Sequence, residues 1–196
     1  MSIGHAVPMD APATSPEQPL PDQLFPDPGP EPTGPQRPAP TSPPSGRSDD
    51  DDVRADRPTI VYTDGSCRGN PGPGGWAWAV DNGSSDSGGE PHTTNQRMEV
   101  MAVIRALQAL PGPLHVVSDS TYVVNCFRQK WWEGWKRRGW RTTQGKPVAN
   151  LDLWQQLLDL ALDPSRPVTF AWVKGHSGDR MNDVVDLLAT QAADLQ

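Results

Sequence analysis

The 196-residue sequence has only two cysteines, Cys67 and Cys126. Two are too few for a disulfide framework and do not have metal-ligand spacing, so a reducing compartment is expected. Long apolar runs are missing too. No stretch approaches 18 consecutive apolar residues, and the first residues show no basic segment followed by an apolar one. These absences lead us to expect a soluble, cytoplasmic protein without a membrane partner.

What is present is unevenly spread. Fifteen of the 23 prolines lie at or before Pro58, whereas all eight tryptophans lie after it. A core can form only in the second part. Residues 1–57 hold ten acids against four arginines, so they carry −6 of the net charge of −7 and end in the acidic run Asp49 to Asp52. Such a segment buries too little apolar surface to offset its chain entropy and is expected to be a disordered tail, either an inert solubilising extension or a Pro-rich docking segment for an unknown partner. The remainder, 58–196, is nearly neutral and of single-domain length. Whole-chain charge argues against a nucleic-acid partner, but steering depends on local clusters, and Lys136, Arg137, Arg138 and Arg141 form one.

Thr59 to Asp64 (TIVYTD) and Gly74 to Val80 (GGWAWAV) read as strands with a Gly/Pro turn between them. Val100, Val103, Ile104 and Leu107 recur at helical spacing within Thr94 to Leu110, before Pro111-Gly112-Pro113 stops the helix. Leu114 to Asp119 is a buried-type strand, followed by a short helix to Phe127. Asn150 can cap a helix carrying Leu153, Trp154, Leu157, Leu158 and Ala161; Val168 to Val173 is a strand, and Met181 to Ala193 a last helix. The order β-hairpin, α, β, α, α, β, α predicts an α/β fold with a mixed sheet and helices packed on it.

Three acids occupy similar places in that order. Asp64 and Asp119 end strands, and Glu99 lies in the first turns of the helix between them, where α/β sheets gather ligands. A fourth, Asp186, lies in the last helix. Carboxylates gathered without bases repel one another unless cations join them, and hard oxygen ligands select Mg²⁺ or Mn²⁺. A pair of such ions is a standard device for phosphodiester cleavage. Any one of these acids could equally be a turn or cap residue.

The wording around them narrows the choice. Thr63-Asp64-Gly65-Ser66-Cys67-Arg68-Gly69-Asn70-Pro71-Gly72-Pro73-Gly74-Gly75 closely resembles the opening of bacterial type 1 ribonucleases H. So do Thr94-Asn95-Gln96-Arg97-Met98-Glu99, Ser118-Asp119-Ser120 and Trp172-Val173-Lys174-Gly175-His176-Ser177-Gly178, in the family's order and within Thr59 to Ala193. The resemblance implies a ribonuclease H-like fold, a five-stranded mixed sheet flanked by helices. It also implies an endonuclease that hydrolyses the RNA strand of RNA/DNA hybrids, leaving 5′-phosphate and 3′-hydroxyl ends.

By the same resemblance, Asp64, Glu99, Asp119 and Asp186 hold two Mg²⁺ ions with substrate, Mn²⁺ being an alternative. Asp183, one helical turn from Asp186, competes for the fourth place, because Leu187 stands where the family often has an acid. His176 matches a histidine associated with proton transfer or product departure. Cys67, through its backbone, and Asn70, Asn95 and Gln96 match positions that read the hybrid's minor groove. Thr94 and Asn150 match a grip on a DNA-strand phosphate, although His92 replaces a common basic residue.

Trp131, Trp135, Lys136, Arg137 and Arg138 resemble the family's basic protrusion, although Trp131, Trp135 and Arg138 also have the spacing of a helix face that packs on a core. A monomer is expected. Two rivals remain: a nuclease of this architecture acting on other nucleic acids, and a non-catalytic hybrid-binding module.

Overall fold

The computed structural model describes residues 57–196, so the expected disordered tail lies outside the described residues apart from Arg57. The described chain forms β1 (Thr59–Cys67), β2 (Gly72–Val80), β3 (Ser85–Thr93), α1 (Asn95–Ala109), β4 (Leu114–Ser118), α2 (Thr121–Arg128), α3 (Trp131–Arg137), α4 (Leu151–Ala161), β5 (Val168–Trp172) and α5 (Arg180–Asp194). The five strands make one sheet in the order β3-β2-β1-β4-β5. β1 runs antiparallel to β2 and parallel to β4, and β4 is parallel to β5, which makes the sheet mixed as expected.

Side chains alternate across β2, and this splits the interior in two. Trp76, Trp78 and Val80 join the larger core under α1 and α4, where Trp154, Leu157 and Ile104 are fully buried. Ala77 and Ala79 face the other way, onto Met181, Val185 and Ala189 of α5. α5 comes so close that a Cβ on Gly75 would lie 2.2 Å from the Ala189 carbonyl oxygen. Only glycine fits there.

Four features differ from the sequence reading, one being α3, which has no counterpart among the two helices expected between β4 and β5. β3 (SDSGGEPHT) has no counterpart in it, because this strand is held by backbone pairing with β2 and lacks an apolar alternation. The Gly/Pro turn is shorter than expected, since β1 continues to Cys67 and β2 begins at Gly72. Asn150 is not a side-chain cap. It sits at φ 55° before α4, a left-handed conformation that Asn tolerates better than most residues, and its amide is turned instead to the Tyr122 hydroxyl at 3.4 Å. Arg166 caps the far end of α1, donating to the carbonyls of Leu107 (2.5 Å), Leu110 (2.6 Å) and Gly112 (3.0 Å).

Candidate active site

β1 and β4 are adjacent and parallel, and their pairing stops at Tyr62 and Val117. Asp119 then follows β4, whereas Asp64 does not end its strand as expected but lies inside β1, two residues beyond the last pair with β4. α1 supplies Glu99 from its first turns. A Cβ on Gly65 would lie 2.2 Å from the Glu99 backbone nitrogen, which shows how tightly the residue after Asp64 is pressed on the helix. α5 supplies Asp186.

Each carboxylate has a different setting. Asp64 is buried, and its carboxyl is pushed up to about 8. Loss of water is the largest cause, followed by the negative charge of Asp119; Asp186 and Glu99 add to it, and the Gly65 backbone hydrogen bond opposes it. Glu99 is raised to about 7, again first by burial. Two donors hold it in the opposite sense: the Ser120 hydroxyl to Oε2 at 2.6 Å and the Asn95 amide to Oε1 at 2.9 Å. The Asn182 amide donates to Asp119 Oδ2 at 3.2 Å. Asp186 is partly exposed, with His176 Nδ1 at 3.8 Å from its Oδ2.

Among the described residues, no lysine or arginine forms an ion pair with any of these four acids. The competitor Asp183 is exposed in the first turn of α5, where it is not among the charges acting on Asp64. Nor do three His, Cys, Asp or Glu side chains of the described residues already converge as a closed cage for one metal. Hard carboxylate oxygens suit a divalent ion such as Mg²⁺ or Mn²⁺ better than zinc. Carboxylate oxygens gathered around a buried Asp64, with no lysine or arginine paired to them among the described residues, fit such an ion.

Residues 56–194 match the family model described as RNase H. The chain belongs to the ribonuclease H family. It is 52% identical over 139 residues to a ribonuclease H of Halorhodospira halophila (strain DSM 244 / SL1), an overlap of 68% of this chain and 91% of that protein. It is 50% identical over 141 residues to a ribonuclease H of Erythrobacter litoralis (strain HTCC2594), covering 69% of this chain and 96% of the relative. Its fold is similar to the crystal structure of LC9-RNase H1, described as a type 1 RNase H with the type 2 active-site motif. The TM-score is 0.58 at 30% identity, over 71% of this chain and 74% of that one. Family and fold agree with the bacterial type 1 ribonuclease H expected from the motifs, and the protein is a ribonuclease.

The other expected contact residues of this ribonuclease H fall into two groups. Around the start of α1, the Asn70 side-chain oxygen accepts from the Asn95 backbone N–H at 3.3 Å, which ties the β1–β2 turn to the helix. Thr94 caps α1, its hydroxyl accepting from Arg97 N at 3.4 Å, and Gln96 follows in the first turn, partly exposed. The Cys67 thiol points to the carbonyls of Gly72 and Thr93, both at 3.5 Å.

Farther along, α3 carries the basic segment. Lys136, Arg137 and Arg138 are exposed, with Lys136 Nζ 5.2 Å from the Trp132 ring centre. Trp135 departs from the expected nucleic-acid surface. Its ring is buried and packs edge-on to Trp154 at 5.4 Å, so it anchors α3 to the core. Trp131 is partly buried beside it, at 6.4 Å between ring centres. Among the described residues no helix is long and apolar enough to cross a membrane.

Sequence reasoning missed the partners of the acids. Ser120 stands inside one of the family motifs, but its bond to Glu99 follows only from the packing of α1 beside α2. Asn182 carries a weak signal: a polar residue on the buried stripe of a helix, next to Met181 and one turn before Asp186.

Proposed function

We propose that this ribonuclease H hydrolyses the RNA strand of RNA/DNA hybrids with divalent-metal help, leaving 5′-phosphate and 3′-hydroxyl ends. The observation that carries the reading is a buried Asp64 crowded by Glu99, Asp119 and Asp186, with no lysine or arginine paired to any of them among the described residues; burial first, and then the neighbouring charges, raise the Asp64 carboxyl to about 8. A binding module for polyanions gains nothing from such a cluster. Bound there, a pair of Mg²⁺ ions, or Mn²⁺ in their place, supplies charge neutralisation for the phosphate and a more acidic attacking water.

The chain's own residues do the rest. Asp64, Glu99, Asp119 and Asp186 would hold the cations. Ser120 and Asn95 fix both oxygens of Glu99, so that it does not turn away when substrate enters. His176, exposed on its loop beside Asp186, would give a proton to the leaving 3′ oxygen. Water attacks the phosphorus in line with that oxygen, and the phosphate stays on the 5′ side.

The Asn95 amide N–H already serves Glu99, which leaves its side-chain oxygen for a 2′-hydroxyl. Asn70 offers the reverse, with its oxygen engaged and its N–H groups available. Gln96 and the backbone at Cys67 extend this minor-groove reader. Thr94 accepts a bond within the cap but can still donate its proton to a DNA-strand phosphate, with Asn150 as the second contact. Lys136, Arg137 and Arg138 hold the hybrid farther along by phosphate contacts, with Trp131 packing against DNA sugars.

The test is incubation with matched RNA/DNA, RNA/RNA and DNA/DNA duplexes, with and without Mg²⁺ or Mn²⁺, followed by end-group analysis. Metal-dependent cleavage confined to the RNA of the hybrid is expected. Comparable cleavage of DNA/DNA would overturn the substrate assignment, and hybrid binding without cleavage would overturn the reaction.

A further inference from the structure

Of the four carboxylates, Asp119 follows a strand and has no helix of its own to aim it. Three contacts surround it. The Asn182 amide donates to its Oδ2 at 3.2 Å. Gly175, in the loop that carries His176, lies against the same oxygen, so that a Cβ there would be 2.7 Å from Oδ2. The Trp172 indole donates to the Asp119 backbone carbonyl at 3.1 Å. Oδ2 thus has a donor and a close neighbour, whereas Oδ1 has no hydrogen-bond donor among the described residues.

Asn182 itself is an unusual choice for its position. It is 2% exposed, and its Oδ1 is buried without a hydrogen-bond partner among the described residues. Fold stability alone favours an apolar side chain of this size there, because a half-satisfied amide is costly to bury. Its N–H group, however, is aimed at a carboxylate, and Asn182 stands one helical turn before Asp186, on the same face of α5.

We infer that Asn182 is a positioning residue: its amide holds Asp119 Oδ2 in the room that the Cβ-free Gly175 leaves, so that the Oδ1 edge is presented to the cations. The inference rests on the metal-dependent reading of the site. It also couples two separate segments to Asp119, the His176 loop and α5, so that docking of either one sets the aim of a carboxylate at the end of β4.

The test measures Mn²⁺ binding to the full-length protein without nucleic acid, by calorimetry, for wild type, Asn182→Leu, Gly175→Ala and Asp119→Asn. Gly175 is not among the positive-φ residues, so alanine there adds a collision with Asp119 and no backbone strain. Both positioning variants are expected to bind Mn²⁺ about 10-fold or more weakly, the range for partners of metal ligands. They should bind hybrid normally in EDTA and recover turnover as Mg²⁺ is raised. In the Asp119→Asn background, adding Asn182→Leu should weaken Mn²⁺ no further.

Unchanged Mn²⁺ affinity in either folded variant, or an equal further loss in the Asp119→Asn background, would overturn the inference. If Asn182→Leu does not fold, Gly175→Ala decides alone. Wild-type protein that neither binds Mn²⁺ nor cleaves hybrid would overturn the reading of the site itself, and this inference with it.

Discussion

Replacing Asp64 by asparagine should make the metal-free protein more stable while abolishing its activity. In the fold the Asp64 carboxyl is raised from 3.8 to about 8, so the folded protein binds a proton more tightly than the unfolded chain does. Stability therefore falls as pH rises through the window from 3.8 to about 8, and the penalty is absent below it. At pH 7 about three pKa units of that window have been crossed, at roughly 1.4 kcal/mol each, which makes the ionised Asp64 a burden of about 4 kcal/mol. The asparagine amide must still be buried, at about 1–3 kcal/mol, so a net gain of about 1–3 kcal/mol is expected. For a domain of this size that is roughly 3–10 °C in melting temperature.

The assay is thermal unfolding of both proteins in EDTA from pH 4 to pH 8. The advantage of the variant should be widest at pH 7–8 and should fall by about 3–4 kcal/mol towards pH 4, where the penalty on Asp64 has almost vanished, the amide's burial cost remains and wild type becomes the more stable. Mg²⁺ should then raise wild type and leave the variant nearly unmoved. A gap that is independent of pH, or a variant that is less stable at pH 7, would refute the electrostatic account of the site.

Asp186→Asn should cut turnover severely and alter its metal dependence, whereas Asp183→Asn should cost only a few tenths of a kcal/mol through the α5 dipole; the reverse result in a Mg²⁺ and Mn²⁺ titration would move the fourth ligand to Asp183. Arg166→Ala should destabilise by about 2–3 kcal/mol in urea unfolding, because three α1-end carbonyls lose a charged donor, and activity at low temperature should persist. Neutralising Lys136, Arg137 and Arg138 together should lower the salt slope of hybrid binding by roughly 2–3, about one for each phosphate that is no longer neutralised, with turnover at saturating hybrid nearly unchanged. Deleting residues 1–57 should leave the melting temperature within a few degrees, since that segment lacks core-forming residues, and a larger drop would show that it packs on the domain.

Helices and parallel strands are legible in the sequence because their apolar residues recur with a period: Leu153, Trp154, Leu157 and Leu158 on α4, or the LHVVS run of β4. β3 is not, since it is held by backbone bonds to β2 and has Gly88 and Gly89 where side chains would collide. The acids are visible through their motifs, but their partners are not. That Ser120 serves Glu99 and Asn182 serves Asp119 depends on contacts 21 and 63 residues apart, which no local pattern encodes. Trp135 misleads for the opposite reason, because an aromatic among bases has the same wording whether its ring faces nucleic acid or Trp154.

The close seating of α5 on Gly75 bears on how the enzyme loses activity before it unfolds. α5 rests on the sheet through mostly small side chains, Ala77, Ala79, Met181, Val185 and Ala189, whereas α1 buries Met98, Val103, Ile104 and Leu107 on the opposite face. It is thus the natural unit to detach first in a partial opening, and it carries Asn182 and Asp186 away with it. Gly75→Ala, which touches none of the acids, should raise the population of this opened form: amides of α5 should exchange with solvent faster than those of α1, and cleavage should fade at temperatures where the sheet is still intact.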